Sequence, residues 1–81
     1  MELIKSYGHR KGYHENHVAF LIKAKYRRKG GCYLCIFVEA TMDKSGIRNI
    51  YLREDGTNDT LNVENLEDEE DLYELILNQT L

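Results

Sequence analysis

Five apolar residues at every second position, Val18, Phe20, Ile22, Ala24 and Tyr26, lead into the basic, glycine-containing run 27–31. Cys32 to Thr41 follows, apolar on both alternations. A period of two marks a strand with one buried face, and a run apolar on both sides reads as a central strand. Val18, Leu21, Ile22 and Tyr26 would also line one face of a helix, so register has to decide. With Lys29-Gly30-Gly31 as a three-residue hairpin loop, in which a glycine supplies the left-handed residue, Arg28 faces Cys32. Tyr26 then pairs with Leu34, Ala24 with Ile36, Ile22 with Val38 and Phe20 with Ala40. Each of these pairs is apolar, whereas a slip of one residue would bury Lys25 and Lys23 against Ile36 and Val38. The hairpin is the reading that follows.

The rest of the chain extends this unit. Leu3 and Ile4 suit a short opening strand, and Tyr7 to Asn16, with two glycines and several charges, reads as a loop. Ile47 to Arg53 forms a third long strand, with Thr41 opposite Ile47, Val38 opposite Ile50 and Ile36 opposite Leu52, ended by the turn signal Asp55-Gly56. Leu61 and Val63 can add a short strand. Asn65 is the expected N-cap of a helix over Leu66 to Asn78, whose apolar arc is Leu66, Leu72, Tyr73, Ile76 and Leu77. The predicted fold class is α+β: one small domain over 1–81, an antiparallel meander of three to four strands with one C-terminal helix on one face.

At 81 residues the chain leaves little room for a large cofactor pocket. Its 42% apolar and 31% charged residues are those of a globular chain, with no proline and no apolar run long enough to span a membrane. A cytoplasmic protein without a membrane partner is expected. The net charge of −3 conceals a division: residues 1–31 carry eight Lys/Arg against Glu2 and Glu15, while residues 32–81 carry three against twelve Asp/Glu. One half is basic and the other acidic.

Two cysteines and two histidines, Cys32-x-x-Cys35 and His14-x-x-His17, have the residue types of a zinc site. The hairpin sends them to opposite ends of a strand, and residues three apart on a strand point to opposite faces. Neither a metal site nor a redox pair follows, and the thiols are expected to be reduced and half-buried. Asp55 to Asp59 has calcium-loop residues but lacks the glycine and glutamate at the required positions. Nothing orients a nucleophile or an acid/base pair. No catalytic residue, metal ligand or cofactor is assigned, and an enzyme is not expected.

Two surfaces remain. The acidic helix residues Glu67, Asp68, Glu69, Glu70, Asp71 and Glu74 suit docking on a protein partner with a basic surface. Leu75, outside the apolar arc, would be an exposed contact there. That reading makes the chain a non-enzymatic inhibitor, antitoxin or adaptor of the kind phages and mobile elements encode. The alternative uses the second sheet face, where Lys23, Phe37 and Tyr51 form one row, Lys25, Cys35 and Arg53 the next, and Arg27 with Tyr33 the end. Rings among cations suit single-stranded RNA or DNA, and Arg28, Lys29, Arg10 and Lys11 would extend the track. An uncovered face also suits a homodimer.

Overall fold

The period-two pattern is a strand, and it is the second of the sheet. The structure is a computed structural model that describes residues 1–11, 15–27 and 31–79. Among them, β1 (Glu2–Lys11), β2 (Asn16–Lys25), β3 (Tyr33–Asp43), β4 (Gly46–Glu54) and β5 (Thr60–Leu61) form one antiparallel sheet in chain order. Helix α1 (Glu69–Asn78) packs on one face of it. The α+β expectation holds, with five strands instead of three to four.

The alternation of β2 is reproduced in burial: Val18, Phe20, Ile22, Ala24 and Tyr26 are buried. They meet Ile36, Val38, Ala40 and Met42 of β3, Leu52 of β4 and Leu72 and Ile76 of α1 in one core. Apart from the hydroxyl of Tyr26, no polar or charged side chain is buried among the described residues.

Both hairpin registers differ from expectation by two residues. Ala24 lies opposite Leu34, Ile22 opposite Ile36 and Phe20 opposite Val38. The Tyr26 amide donates to the Cys32 carbonyl at 3.1 Å, where the expected register sets Arg28 opposite Cys32. Gly31 does take the left-handed conformation, at φ 68°. The expected roles of Arg28, Lys29 and Gly30 lie outside the described residues. In the second hairpin Val38 faces Leu52, Ile36 faces Glu54 and Ala40 faces Ile50, with an irregularity between Thr41 and Met42. A shift of two keeps every side chain on its own face, so the apolar pattern does not select against it.

Tyr7 to Lys11, expected as loop, belongs to β1. Two irregularities, between Leu3 and Lys5 and between Ser6 and Gly8, let the strand stay paired with β2. Gly8, at φ 108°, supplies a conformation that other residues rarely adopt. Except for the partly buried Met1 beside it, this segment is exposed from Glu2 to His9, so it lacks the buried alternation that marks a strand in sequence.

Helix α1 begins three residues later than expected, and Asn65 is not its cap. The stretch 65–67 instead pairs with the end of β2: Arg27 N–H donates to the Asn65 carbonyl at 2.7 Å, and Glu67 N–H to the Lys25 carbonyl at 3.2 Å. Val63–Asn65 is a 3-10 turn. The buried hydroxyl of Tyr26 accepts from Asn62 N–H at 3.0 Å and from Asn65 Nδ2 at 3.3 Å, which ties this crossing segment to the sheet. Asp68 is the N-cap residue, its carbonyl accepting from the amides of Asp71 and Leu72. The helix buries Leu72 and Ile76 and packs Leu75 against the core, while Tyr73 and Leu77 are exposed. Its inward arc is thus rotated by roughly 70° from the expected one, and Leu75 is not the outward contact anticipated. Asp68 lies 3.9 Å from the amino group of Met1, and Gln79 accepts from Ser6 Oγ at 3.0 Å, so the helix runs alongside β1.

Candidate functional site

With α1 on one face, the other face of the sheet carries no second layer among the described residues, and its side chains follow from strand parity. The registers set rows that run across the strands, roughly 7 Å apart. Lys25 lies opposite Tyr33, and Glu2, Lys23 and Cys35 make the next row. Lys5, Leu21, Phe37 and Arg53 follow, then Gly8, Ala19, Glu39 and Tyr51.

The third of these rows is the densest. Arg53 stacks over the Phe37 ring, 5.1 Å from its centroid. The Tyr7 ring meets Phe37 edge-on at 5.5 Å and 63°, and Lys5 lies 5.2 Å from the Tyr7 centroid. A cation, two rings and a second cation therefore cross the sheet from β1 to β4. Arg53 is held by a hydrogen bond from Nη1 to the Thr57 carbonyl at 2.9 Å, so the loop after β4 fixes the guanidinium over its ring. The lysine ends are tied more loosely, and such exposed cation–ring contacts are worth ~0.5–1 kcal/mol each. A second cluster lies toward the end of β2, where Lys25 sits 5.8 Å from the Tyr33 ring and 3.8 Å from the Glu67 carboxylate.

Six of the seven sheet residues singled out from the sequence, Lys23, Lys25, Tyr33, Phe37, Tyr51 and Arg53, share this face, in rows shifted from those expected. Phe37 joins Arg53 instead of Lys23, Lys23 joins Cys35, and Tyr51 joins Glu39. Tyr33 is 60% exposed and Tyr51 44%, so both offer ring faces to solvent. Arg27 departs from the set: it lines a hollow with Leu66 and 67–71, beside the acidic start of α1. Arg10 and Lys11 belong by backbone to β1, with Arg10 opposite His17.

Lys5 and Tyr7 were missed. Their spacing, Lys5-x-Tyr7, is a strand signal, but Gly8, Gly12 and the surrounding charges read as loop chemistry.

The acidic residues divide. Glu67 and Asp68 precede α1 and pair with Lys25 and the amino group of Met1. Glu69, Glu70 and Asp71 occupy the first helical turn, where carboxylates favour the positive end of the helix dipole. Glu70, Asp71 and Glu74 are exposed.

Both cysteines are exposed free thiols, not half-buried. Cys32 precedes β3, and Cys35 lies on the face that α1 leaves open. His17 and Cys32 lie nine residues apart along β2 by register, roughly 30 Å. Among the described residues no three His, Cys, Asp or Glu side chains group as metal ligands. Nor is any helix there long and apolar enough to cross a membrane. No protein-family model, no curated protein and no solved structure matches the chain.

Proposed function

We propose that this protein acts by binding, without catalysis, and that its working surface is the uncovered sheet face, which takes single-stranded nucleic acid. The observation that carries this reading is the line Lys5–Tyr7–Phe37–Arg53, with Lys25–Tyr33 beside it. Unpaired bases need flat apolar surfaces and the backbone between them needs cations. Stacking on an aromatic side chain is sequence-tolerant and contributes ~1–3 kcal/mol per base. Lys23 and Lys25 extend the positive charge along β2 toward Tyr33. Strands of nine to eleven residues present these groups on a rigid frame whose other side is the core.

The test is fluorescence anisotropy with a labelled mixed-sequence oligonucleotide at low and physiological salt. Tyr33→Ala removes an exposed ring and should weaken binding about five-fold or more. Lys23→Glu with Lys25→Glu should abolish it. Wild-type affinity that is absent at both salt concentrations would sink the reading.

A second reading, docking of the acidic helix on a basic protein surface, is favoured by one observation. Among the described residues, no ion pair engages Glu69, Glu70, Asp71 or Glu74. With Glu67 and Asp68 they make one side of the molecule acidic while the open sheet face carries the cations. A binder of this kind would act as an inhibitor, antitoxin or adaptor by occupying its partner. Glu69→Lys with Glu70→Lys would abolish such docking and leave nucleic-acid binding at least as strong.

A further inference from the structure

Two carboxylates interrupt the cations of the open sheet face: Glu2, in the row of Lys23 and Cys35 at its β1 edge, and Glu39, at its centre. Glu39, at the middle of the central strand β3, is exposed between Ala19 of β2 and Tyr51 of β4. A carboxylate there opposes phosphate binding, and among the described residues no ion pair or hydrogen bond engages it. It borders a hollow of about 560 Å³ whose lining includes Tyr7, Gly8, His17 and Ala19. The floor is low because the two residues paired there, Gly8 and Ala19, are the smallest available. The irregularity between Ser6 and Gly8 sets Tyr7 beside it, with its ring edge-on to Phe37. The hollow therefore adjoins the Lys5–Phe37–Arg53 row, one row-spacing of roughly 7 Å away.

We propose that this hollow is a nucleobase pocket and that Glu39 selects guanine. The inference rests on the reading of the face as a single-strand platform and names which base that platform prefers. An ionised carboxylate only accepts hydrogen bonds. The base edge turned toward it must therefore donate. Guanine offers N1–H and the N2 amino group side by side, which match the two carboxylate oxygens. Cytosine and adenine offer one amino group each, beside a ring acceptor. Thymine and uracil present a single N–H between two carbonyl oxygens that a carboxylate repels. The same negative charge turns phosphates away from the hollow and toward Lys5, Lys23, Lys25 and Arg53, so one residue sets both the identity of the base and the orientation of the strand.

The experiment compares nine-nucleotide thymidine oligomers with guanine, cytosine or thymine at the centre, bound to wild type and to Glu39→Gln and followed by anisotropy. Wild type should bind the guanine-centred oligomer on the order of ten-fold more tightly than the all-thymidine one, the scale of a good bidentate base contact. Cytosine should fall between. Glu39→Gln should lose the preference and bind the all-thymidine oligomer equally well or better, because a repulsive charge is gone. Equal wild-type affinity for all three, or a preference that survives in Glu39→Gln, overturns the role of Glu39 and leaves the platform standing. Failure of wild type to bind any of the three overturns the platform and the base pocket together.

Discussion

Replacing Tyr26 with phenylalanine removes one oxygen and leaves the shape of the core untouched. Tyr26 is 3% exposed, and its hydroxyl accepts from Asn62 N–H at 3.0 Å and Asn65 Nδ2 at 3.3 Å. Phenylalanine fills the same space without opening a cavity, so the change isolates the hydrogen bonds. Both donors are only partly buried and water can reach part of the lost bonding, which holds the cost to about 1–2 kcal/mol in place of the full penalty for stranded groups. For a domain of this size each kcal/mol lowers Tm by roughly 4–8 °C, so Tyr26→Phe should melt about 5–15 °C below wild type by circular dichroism. The loss should be local in origin. The crossing segment pairs with the end of β2 through the Asn65 carbonyl and Glu67 N–H, and Leu66 N–H bonds the Val63 carbonyl at 3.0 Å, so the amides of Asn62, Leu66 and Glu67 should exchange with solvent faster while those of β3 hold. A Tm within about 1 °C of wild type would refute the view that Tyr26 anchors the segment leading to the helix. So would a drop in Tm with exchange at those amides unchanged.

Other outcomes follow from the same structure. Ile76→Ala empties a fully buried position between helix and sheet and should cost about 2–5 kcal/mol, enough to leave a chain this small largely unfolded at 37 °C, as urea titration would show. In the β3–β4 turn the Asp43 carboxylate accepts from Arg48 Nε at 2.6 Å and Ser45 N–H at 2.8 Å, and these bonds hold its pKa below the ordinary 3.8. A depressed carboxylate stabilises the fold above its unfolded-state pKa and ceases to do so as pH falls through the folded value. The stability advantage of wild type over Asp43→Asn should therefore be constant well above pH 3.8 and shrink as pH falls through that value and below it, and an advantage that persists unchanged at pH 2 would contradict the assignment. Lys5→Ala should weaken oligonucleotide binding while leaving Tm nearly unchanged, because an exposed cation–ring contact contributes little to folding.

The sheet was largely legible in the sequence because β2 alternates cleanly and β3 is apolar on both sides, which fixes which residues share a face. Register was not. A shift of one residue would bury Lys23 and Lys25, but a shift of two costs the pattern nothing, so alternation alone cannot choose between the two. β1 was hidden for a different reason: its side chains from Glu2 to His9 are exposed and its pairing is interrupted twice, so it has neither buried alternation nor uniform period. The helix start was displaced because backbone pairing of 65–67 with β2 competes with helical bonding at the very residues whose types suit a cap. For the site, parity was enough to put Lys23, Lys25, Tyr33, Phe37, Tyr51 and Arg53 on one face. The contacts that organise it, Arg53 over Phe37 and Tyr7 against Phe37, depend on register and on the irregular β1, so they emerge only in three dimensions.

The central claim is that the open sheet face binds single strands, and a backbone amide NMR titration with a mixed-sequence oligonucleotide at low and physiological salt tests it most directly. The account predicts that signals of Lys5, Tyr7, Lys23, Lys25, Tyr33, Phe37, Tyr51 and Arg53 shift together, less at the higher salt, while those of 69–78 stay in place. Shifts confined to 69–78, or none at either salt, would contradict it.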